Sequence, residues 1–500
     1  MFASRAVPPH RLSKSRFVAG VQCHKLLWWK VHEPDAPELQ PDAALRSRLD
    51  FGAEVGAEAR RRVPGGVLID VPAEAYEQRV EATAAALRAG ARVIYEAAFV
   101  ADDTFVAVDI LERQPGGAWT VIEVKSSTSV TDEHLPDVAI QVHVARRAGL
   151  EVARAELMHL NAACRYPDLD NLFVREDVTP RVEGYLLDVP GRITAQLRAL
   201  AGPLPDVKIG EHCRRPRECP FWDRCWGALP AHHVTGLYGI SYRRAAQFER
   251  QGWVTIHDLP EDAKLSPIQT RQARAVRRGE IVVEPGLRAA LDAIAGPVAH
   301  LDFESVNLPI PRWTGLAPWE PMPVQFSCDV ELRDGSLEHH EWLADGPGDP
   351  RREQAELVVE ACAGANAVVV YNAPFERACL GRLGDAVPPL RAYLDQIAGR
   401  LVDLLPLVRR HVYAPGFDAS FTLKSVVPAL VPDFSYAALP IQDGGEASAR
   451  LADLLFDGTL SADARRQLRQ DLLRYCRQDT LATVRLLARL RQLSRPRLLK

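Results

Sequence analysis

Residues 298–305 read Val-Ala-His-Leu-Asp-Phe-Glu-Ser, an apolar run interrupted by two acids, Asp302 and Glu304. In a β-strand, the period of two puts both carboxylates on one face. Residues 367–376, Ala-Val-Val-Val-Tyr-Asn-Ala-Pro-Phe-Glu, predict an apolar strand, a turn at Asn372 and Pro374, and Glu376 just beyond. A long amphipathic stretch from about Ser461 to Leu493 predicts a closing helix, with Ser461 as N-cap and Asp463 in the first turn. Tyr475 and Asp479 lie four apart on that helix and share a face. Leu472 and Cys476 belong to its apolar side, so the Asp479 carboxylate is expected to point towards the core or a cleft. Four acids converging from two strands and a helix repel one another unless cations sit among them. Two divalent ions about 4 Å apart would relieve this and stabilise the attacking and leaving oxygens of phosphodiester hydrolysis.

A second set of acids lies upstream. Residues 105–113 (Phe-Val-Ala-Val-Asp-Ile-Leu-Glu-Arg) and 118–127 (Ala-Trp-Thr-Val-Ile-Glu-Val-Lys-Ser-Ser) flank the turn Gln114-Pro115-Gly116-Gly117, which predicts a hairpin or a close relative. Asp109 lies on its first strand. Glu123 and Lys125 are two apart on the second and share a face, away from Ile122 and Val124. Two carboxylates and an ammonium on one sheet face can hold a divalent cation and aim a water at a phosphodiester. Taken alone, Glu123-x-Lys125 equally suits an edge strand with a solvated charge pair.

Cys213, Cys219 and Cys225 are six apart, with Phe221, Trp222 and Trp226 among them as possible shielding. A tetrahedral zinc or a cubane cluster needs a fourth ligand. Cys23, also beside aromatics, is the first candidate; Cys164 and His212 rank below it. The spacing does not match the paired cysteines usual in structural zinc sites. Cys328, Cys362, Cys379 and Cys476 sit in apolar surroundings and read as buried thiols.

Taken in order, Cys23, Asp109, Glu123-Val-Lys125, Gln141 and the three-cysteine stretch resemble the RecB-like PD-(D/E)XK nucleases that carry an iron–sulfur cluster, similar to the CRISPR-associated single-strand exonucleases. The resemblance implies that Cys23, Cys213, Cys219 and Cys225 bind a [4Fe–4S] cluster, that Asp109 and Glu123 bind metal, and that Lys125 orients the attacking water. Glu96 is a further candidate at this site. The sequence departs from that family twice. The Gly52–Arg62 region lacks the family's early His, for which Glu58 is the candidate substitute, and Gln141 is followed by Ala145 where the family has Tyr. Asp-x-Glu at 302, the Asn372–Glu376 stretch and Tyr-x3-Asp at 475 resemble the DnaQ-like DEDD exonucleases of RNase H-like fold, in the Tyr-bearing branch. That resemblance implies that Asp302, Glu304, Glu376 and Asp479 hold two metals, Mg²⁺ or Mn²⁺, while Tyr475 positions the nucleophilic water. Glu376 stands where that family has Asp. Asp403 reads as a helix-capping or supporting group, and Lys424 as a phosphate contact or a solvated lysine.

The whole chain resembles a bacterial family that joins these modules in this order. The expected fold class is α/β. Its parts are a restriction-endonuclease-like PD-(D/E)XK domain over 1–230, a helical connector over 231–296, and an RNase H-like exonuclease domain over 297–500. Within the connector, residues 234–259 weakly resemble a helix-hairpin-helix, with Arg243, Arg244 and Arg250 suited to phosphate; a helical spacer is the plain alternative.

Composition bounds the reading. The 500 residues are 47% hydrophobic and 25% charged, ordinary for a globular chain and incompatible with wholesale disorder. Of 61 basic residues, 8 are Lys and 53 Arg, so each Lys stands out. The net charge of −4 hides an uneven distribution: from Ser461 to Lys500 there are 11 basic and 3 acidic residues, +8 beside Tyr475 and Asp479. Nine Cys are too sparse for a disulfide scaffold. Neither a signal-peptide core near Arg5, Arg11, Lys14 and Arg16 nor a membrane-length apolar run is visible, so a cytoplasmic location and no membrane partner are expected. The expected function is a metal-dependent nuclease acting on single-stranded ends, with DNA as the expected partner. The alternatives are a catalytically degenerate nucleic-acid-binding or scaffold protein and an iron–sulfur redox protein.

Overall fold

The computed structural model describes residues 12–495. Arg5 and Arg11 of the N-terminal stretch, and the last five residues of the basic tail, lie outside the described residues. The chain divides into two compact units: residues up to Ala228 with Leu308–Glu320, and Leu229–Asn307 with Pro321 onward. This differs from the expected map at two places. The 231–296 stretch belongs to the second unit, and 308–320, expected in the exonuclease domain, folds with the first.

The first unit is built on a seven-stranded mixed sheet: β1 (Leu12–Ser13), β2 (Val67–Leu68), β3 (Val93–Ala101), β4 (Thr104–Arg113), β5 (Trp119–Lys125), β6 (Val152–Leu160) and β7 (Phe173–Asp177). The order is β2-β3-β4-β5-β6-β7, and β4 and β5 form the expected antiparallel pair. Strand β4 forks: Thr104 and Phe105 pair with β1, whereas Ile110–Arg113 pair with β5. Helix Leu135–Arg147 packs Val138, Ile140, Val142 and Val144 into a core shared with Val106, Val108 and Val121 of the sheet. β5 is an interior strand, flanked by β4 and β6, and Trp119–Glu123 are buried. The 308–320 segment belongs here because its apolar side chains have no other home. Trp319 and Ile310 pack on Val55, Leu160 and Leu172, the Trp319 indole N–H donates to the Ser126 carbonyl, and Arg312 pairs with Glu54 at 2.9 Å.

The second unit holds a five-stranded sheet ordered β11-β10-β9-β12-β13, formed by β9 (Val298–Asn307), β10 (Pro321–Glu331), β11 (Leu337–Leu343), β12 (Ala367–Val370) and β13 (Leu401–Asp403). A small antiparallel pair joins β8 (Val282–Val283) to β14 (Val412–Tyr413) and ties the 231–296 stretch to this unit. Strand β9 has the alternation its sequence requires. Ala299, Leu301 and Phe303 enter a core with Val358, Leu380 and Leu383. His300, Asp302 and Glu304 take the opposite face, towards helix Ala462–Leu493, where His300 Nδ1 lies 2.9 Å from Thr483 Oγ1. That helix starts as expected, with Ser461 Oγ accepting the Ala464 N–H at 3.2 Å. No helix among the described residues is long and apolar enough to cross a membrane.

Candidate functional site

In the second unit, carboxylate oxygens of Asp302, Glu304 and Asp479 all lie within 4.8 Å of one another. Two come from the polar face of β9 and the third from the closing helix, one turn beyond Tyr475. Glu376 enters from the first turn of helix Ala373–Ala386 and is almost wholly buried. Its backbone is aimed by Asn372, which adopts the left-handed conformation (φ 89°) at the helix N-cap. Asp403 stabilises that turn: its two carboxylate oxygens each accept a backbone N–H, from Asn372 and Ala373, both at 3.0 Å. It also caps the next helix through the Leu405 N–H at 2.9 Å. Asp403 is thus the capping group its sequence position suggested.

Burial and mutual repulsion disfavour the charged forms of these acids. Burial, then repulsion from Asp479 and Glu376, pushes Asp302 and Glu304 well above the usual carboxylate range, with the Glu304 charge adding to the rise at Asp302. Burial also raises Asp479 and, with a contribution from Asp403, takes Glu376 up to about 8. Asp479 Oδ1 and Glu376 Oε2 are buried with no hydrogen-bond partner among the described residues. Unpartnered carboxylate oxygens in a buried, all-oxygen donor set fit hard divalent cations. Beside them, the buried Tyr475 phenol accepts from Lys424 Nζ at 2.7 Å, and the same ammonium donates to the Gln442 carbonyl at 2.6 Å. Lys424 lies 4.4 Å from the Tyr475 ring centroid. The Cys476 thiol, one residue beyond Tyr475, points at Asp302 Oδ2 at 3.5 Å.

In the first unit, Asp109 sits at the fork of β4. Beyond Ile122 the β4–β5 pairing ends, and Asp109 Oδ2 accepts the freed Val124 N–H at 2.7 Å. Glu123 is buried and its oxygens are crowded with donors: Lys125 at 2.8 Å, Gln141 at 2.6 Å, and Lys14, which reaches both oxygens at 3.0 and 3.1 Å. Lys14 Nζ also lies 3.9 Å from Asp109 Oδ1, and Lys125 is hydrogen-bonded to Asp137. Burial alone would raise Glu123, but the Lys125 and Lys14 ammoniums hold it below the usual range. Burial and the Glu123 charge push Asp109 up to about 7. The expected trio is therefore brought together, with Gln141. Lys14 and Asp137 complete it, and the sequence reading missed both. Two carboxylates converging on one ammonium form a donor set that also suits a divalent cation. Glu58 pairs with Arg61 and Arg62 on its own helix. Glu96, on β3 with φ 59°, pairs with Arg79 at 3.2 Å.

Cys23, Cys213, Cys219 and Cys225 line one cavity of the first unit. Cys23 lies between helices Lys14–Gln22 and His24–His32, Cys213 ends a 3₁₀ turn, and Cys225 lies on the short helix Trp222–Trp226. Trp29 and Phe221 cover this region, while Trp222 and Trp226 stack on each other at 3.5 Å. Burial raises the Cys213 and Cys225 thiols and takes Cys219 up to about 11, with the Lys25 ammonium opposing the rise at Cys213 and Cys225. Four sulfurs around one cavity, Cys213 buried and the other three half-buried, fit a thiolate-bound metal group. His212 also lines the cavity. Cys164 does not; it packs with Val55, Leu160 and Leu172. In the 231–296 stretch, Gly239 and Gly252 take left-handed conformations at turns, Arg243 and Arg250 are exposed, and Arg244 bonds the Lys264 carbonyl.

The profile of a domain of unknown function (DUF2779) matches residues 299–422, which carry Asp302, Glu304 and Glu376 but not Tyr475 or Asp479. The structure of the family B DNA polymerase from the hyperthermophilic archaeon Pyrobaculum calidifontis aligns with 77% of this chain at 13% identity and a TM-score of 0.26. The alignment spans 46% of that polymerase, so this chain matches less than half of it. No curated protein matches the chain in sequence.

Proposed function

We propose that the protein is a metal-dependent nuclease that hydrolyses phosphodiester bonds, acting as an exonuclease on single-stranded DNA ends. The observation that carries this reading is the convergence of Asp302, Glu304 and Asp479 within 4.8 Å, with Glu376 buried beside them. These four acids would hold Mg²⁺ or Mn²⁺, which would supply charge stabilisation to the attacking and leaving oxygens. The chain's own contribution is positional. Tyr475 presents a phenol at the edge of the acids to orient the water, and Lys424 fixes that phenol while adding positive charge near the phosphate. Arg474 and Arg477, exposed beside Tyr475 on the closing helix, suit an approaching polyanion.

In the first unit, Asp109 and Glu123 are proposed as a second metal position, with Lys125 orienting a water. Cys23, Cys213, Cys219 and Cys225 are proposed to bind a [4Fe–4S] cluster that holds the N-terminal helices to the three-cysteine segment. The chemistry of each donor set supports this assignment: oxygens for the hard cation, thiols for iron.

End-labelled oligonucleotides incubated with Mg²⁺ or Mn²⁺ test the reading, with Asp302→Ala and Asp109→Ala made separately. Loss of cleavage in Asp302→Ala is expected. Cleavage unaffected by either substitution would overturn both site assignments, and tight binding without metal-dependent cleavage would favour a degenerate binding protein.

A further inference from the structure

We propose that the Lys14 ammonium is the resident cation of the Asp109–Glu123 pair and competes with a divalent ion for that position. The proposal rests on the reading of this pair as a metal site. Three observations carry it. The first is coordination: one nitrogen bridges both oxygens of Glu123, at 3.0 and 3.1 Å, and reaches Asp109 at 3.9 Å, so it lies where an ion shared by the two carboxylates would lie.

The second observation is charge. Asp109, Glu123 and Asp137 face Lys14 and Lys125, three carboxyl groups against two ammoniums. In the second unit, Asp302, Glu304, Asp479 and Glu376 have Lys424 nearby, and its ammonium is bonded to Tyr475 and the Gln442 carbonyl. The two carboxylate sets therefore differ in kind. One is nearly matched by the protein's own ammoniums, and the other sets four acids against Lys424.

The third observation is anchorage. Lys14 opens helix Lys14–Gln22 directly after β1, whose Leu12 and Ser13 pair with Thr104 and Phe105. Ser13 caps the helix through the Arg16 N–H. Further along, Gln196 donates to the Phe17 carbonyl at 3.0 Å across Gly20, where any Cβ would fall 2.3 Å from Gln196 Cδ. A lysine presented from backbone tied at both ends is built into its position rather than trailing at the surface. Its flexible stem still lets the head group leave when a stronger cation arrives, which a rigid guanidinium fork would do less readily.

The test uses the full chain carrying Asp302→Asn and Asp479→Asn, so that Mn²⁺ binding reports on the first unit, read by electron paramagnetic resonance and by the Mn²⁺-induced rise in melting temperature. Adding Lys14→Met should tighten Mn²⁺ binding by roughly tenfold or more and enlarge the thermal shift, and a further Asp109→Asn should abolish both. Lys14→Arg keeps the charge and should show no such gain. Unchanged or weaker Mn²⁺ binding in Lys14→Met, or none at all, overturns the proposal. Lys14→Gln serves as the second neutral variant if the Met variant does not fold. Because the readout is ion binding, a lack of cleavage by the intact protein would count against the nuclease reading and leave this result standing.

Discussion

Lys424 donates from Nζ to the Tyr475 phenol oxygen at 2.7 Å, bridging residues 51 positions apart in the chain. Among the described residues the ammonium donates to two acceptors, Tyr475 and the Gln442 carbonyl, and its charge also acts on Glu304 and Asp479. Removing it would free the phenol and take away the ammonium that offsets the rise of the Glu304 and Asp479 carboxyls. Lys424→Met is expected to lower kcat by about 10- to 100-fold with little change in KM. Tyr475→Phe should cost a similar factor, and the double variant less than the product of the two, because both act through one contact. Single-turnover cleavage of a labelled oligonucleotide measures all three. A fully additive double variant would separate the two residues.

The cysteine assignment predicts colour. Protein purified anaerobically should be brown, and Cys213→Ala or Cys23→Ala should bleach it and lower the melting temperature, because metal binding and folding are coupled. Cys164→Ala should keep the colour, since that thiol packs in a separate cluster with Leu160 and Leu172. Colourless protein with stoichiometric zinc would sink the cluster.

Much of this was legible in the sequence wherever a local period carried it. The alternation of residues 298–305 predicted which face of β9 bears Asp302 and Glu304, and the cap at Ser461 and the Tyr475–Asp479 spacing followed from helical geometry. What escaped was set by long-range contact. Lys14 meets Glu123 across 109 positions, and nothing in its neighbourhood announces that partner. The membership of 308–320 in the first unit was equally hidden, because it depends on where Trp319 finds a cover. Lysine scarcity does mark these positions in the sequence. In a chain with 53 Arg and 8 Lys, Lys14, Lys125 and Lys424 stand at the carboxylate sites, and Lys25 and Lys208 line the cysteine cavity. A compact ammonium on a flexible stem fits such places where a planar guanidinium does not.

Asp329 joins three elements of the second unit, and the join is pH-sensitive. Its Oδ1 lies 2.8 Å from Nδ1 of His339, the residue paired with it across β10 and β11, and its Oδ2 accepts from Thr480 of the closing helix at 2.9 Å. The hydrogen bond to Asp329, with help from Glu341 and against the repulsion of Arg477, raises His339 above its ordinary 6.5. A histidine whose pKa rises on folding contributes stability that is complete below pH 6.5 and is lost as pH climbs through the raised value. His339→Gln should therefore cost about 1 kcal/mol at pH 6 and less at pH 9, as measured by urea unfolding at the two pH values. An equal cost at both would show that the imidazole is not charged in the folded state.

A chain ending at residue 230 matches the domain boundary expected from the sequence, yet it lacks a piece of the first unit. Segment 308–320 buries Trp313 and Leu316 almost completely, sets the Trp319 ring edge-on against Phe51 at 5.8 Å, and exchanges backbone hydrogen bonds with Tyr166 at both Gly315 and Leu316. Fully burying a large apolar side chain is worth about 1.5–3 kcal/mol, so deleting these residues removes several kcal/mol from a unit whose total stability is of the order of 10 kcal/mol. The segment also covers the chain just past Lys125, through the bond from Trp319 to the Ser126 carbonyl. Residues 1–230 alone are expected to aggregate or melt well below the full chain. The same fragment with 308–320 appended through a flexible linker should recover a cooperative transition, measured by circular dichroism. Equal melting temperatures for the two fragments would show that the segment rests on the first unit without stabilising it.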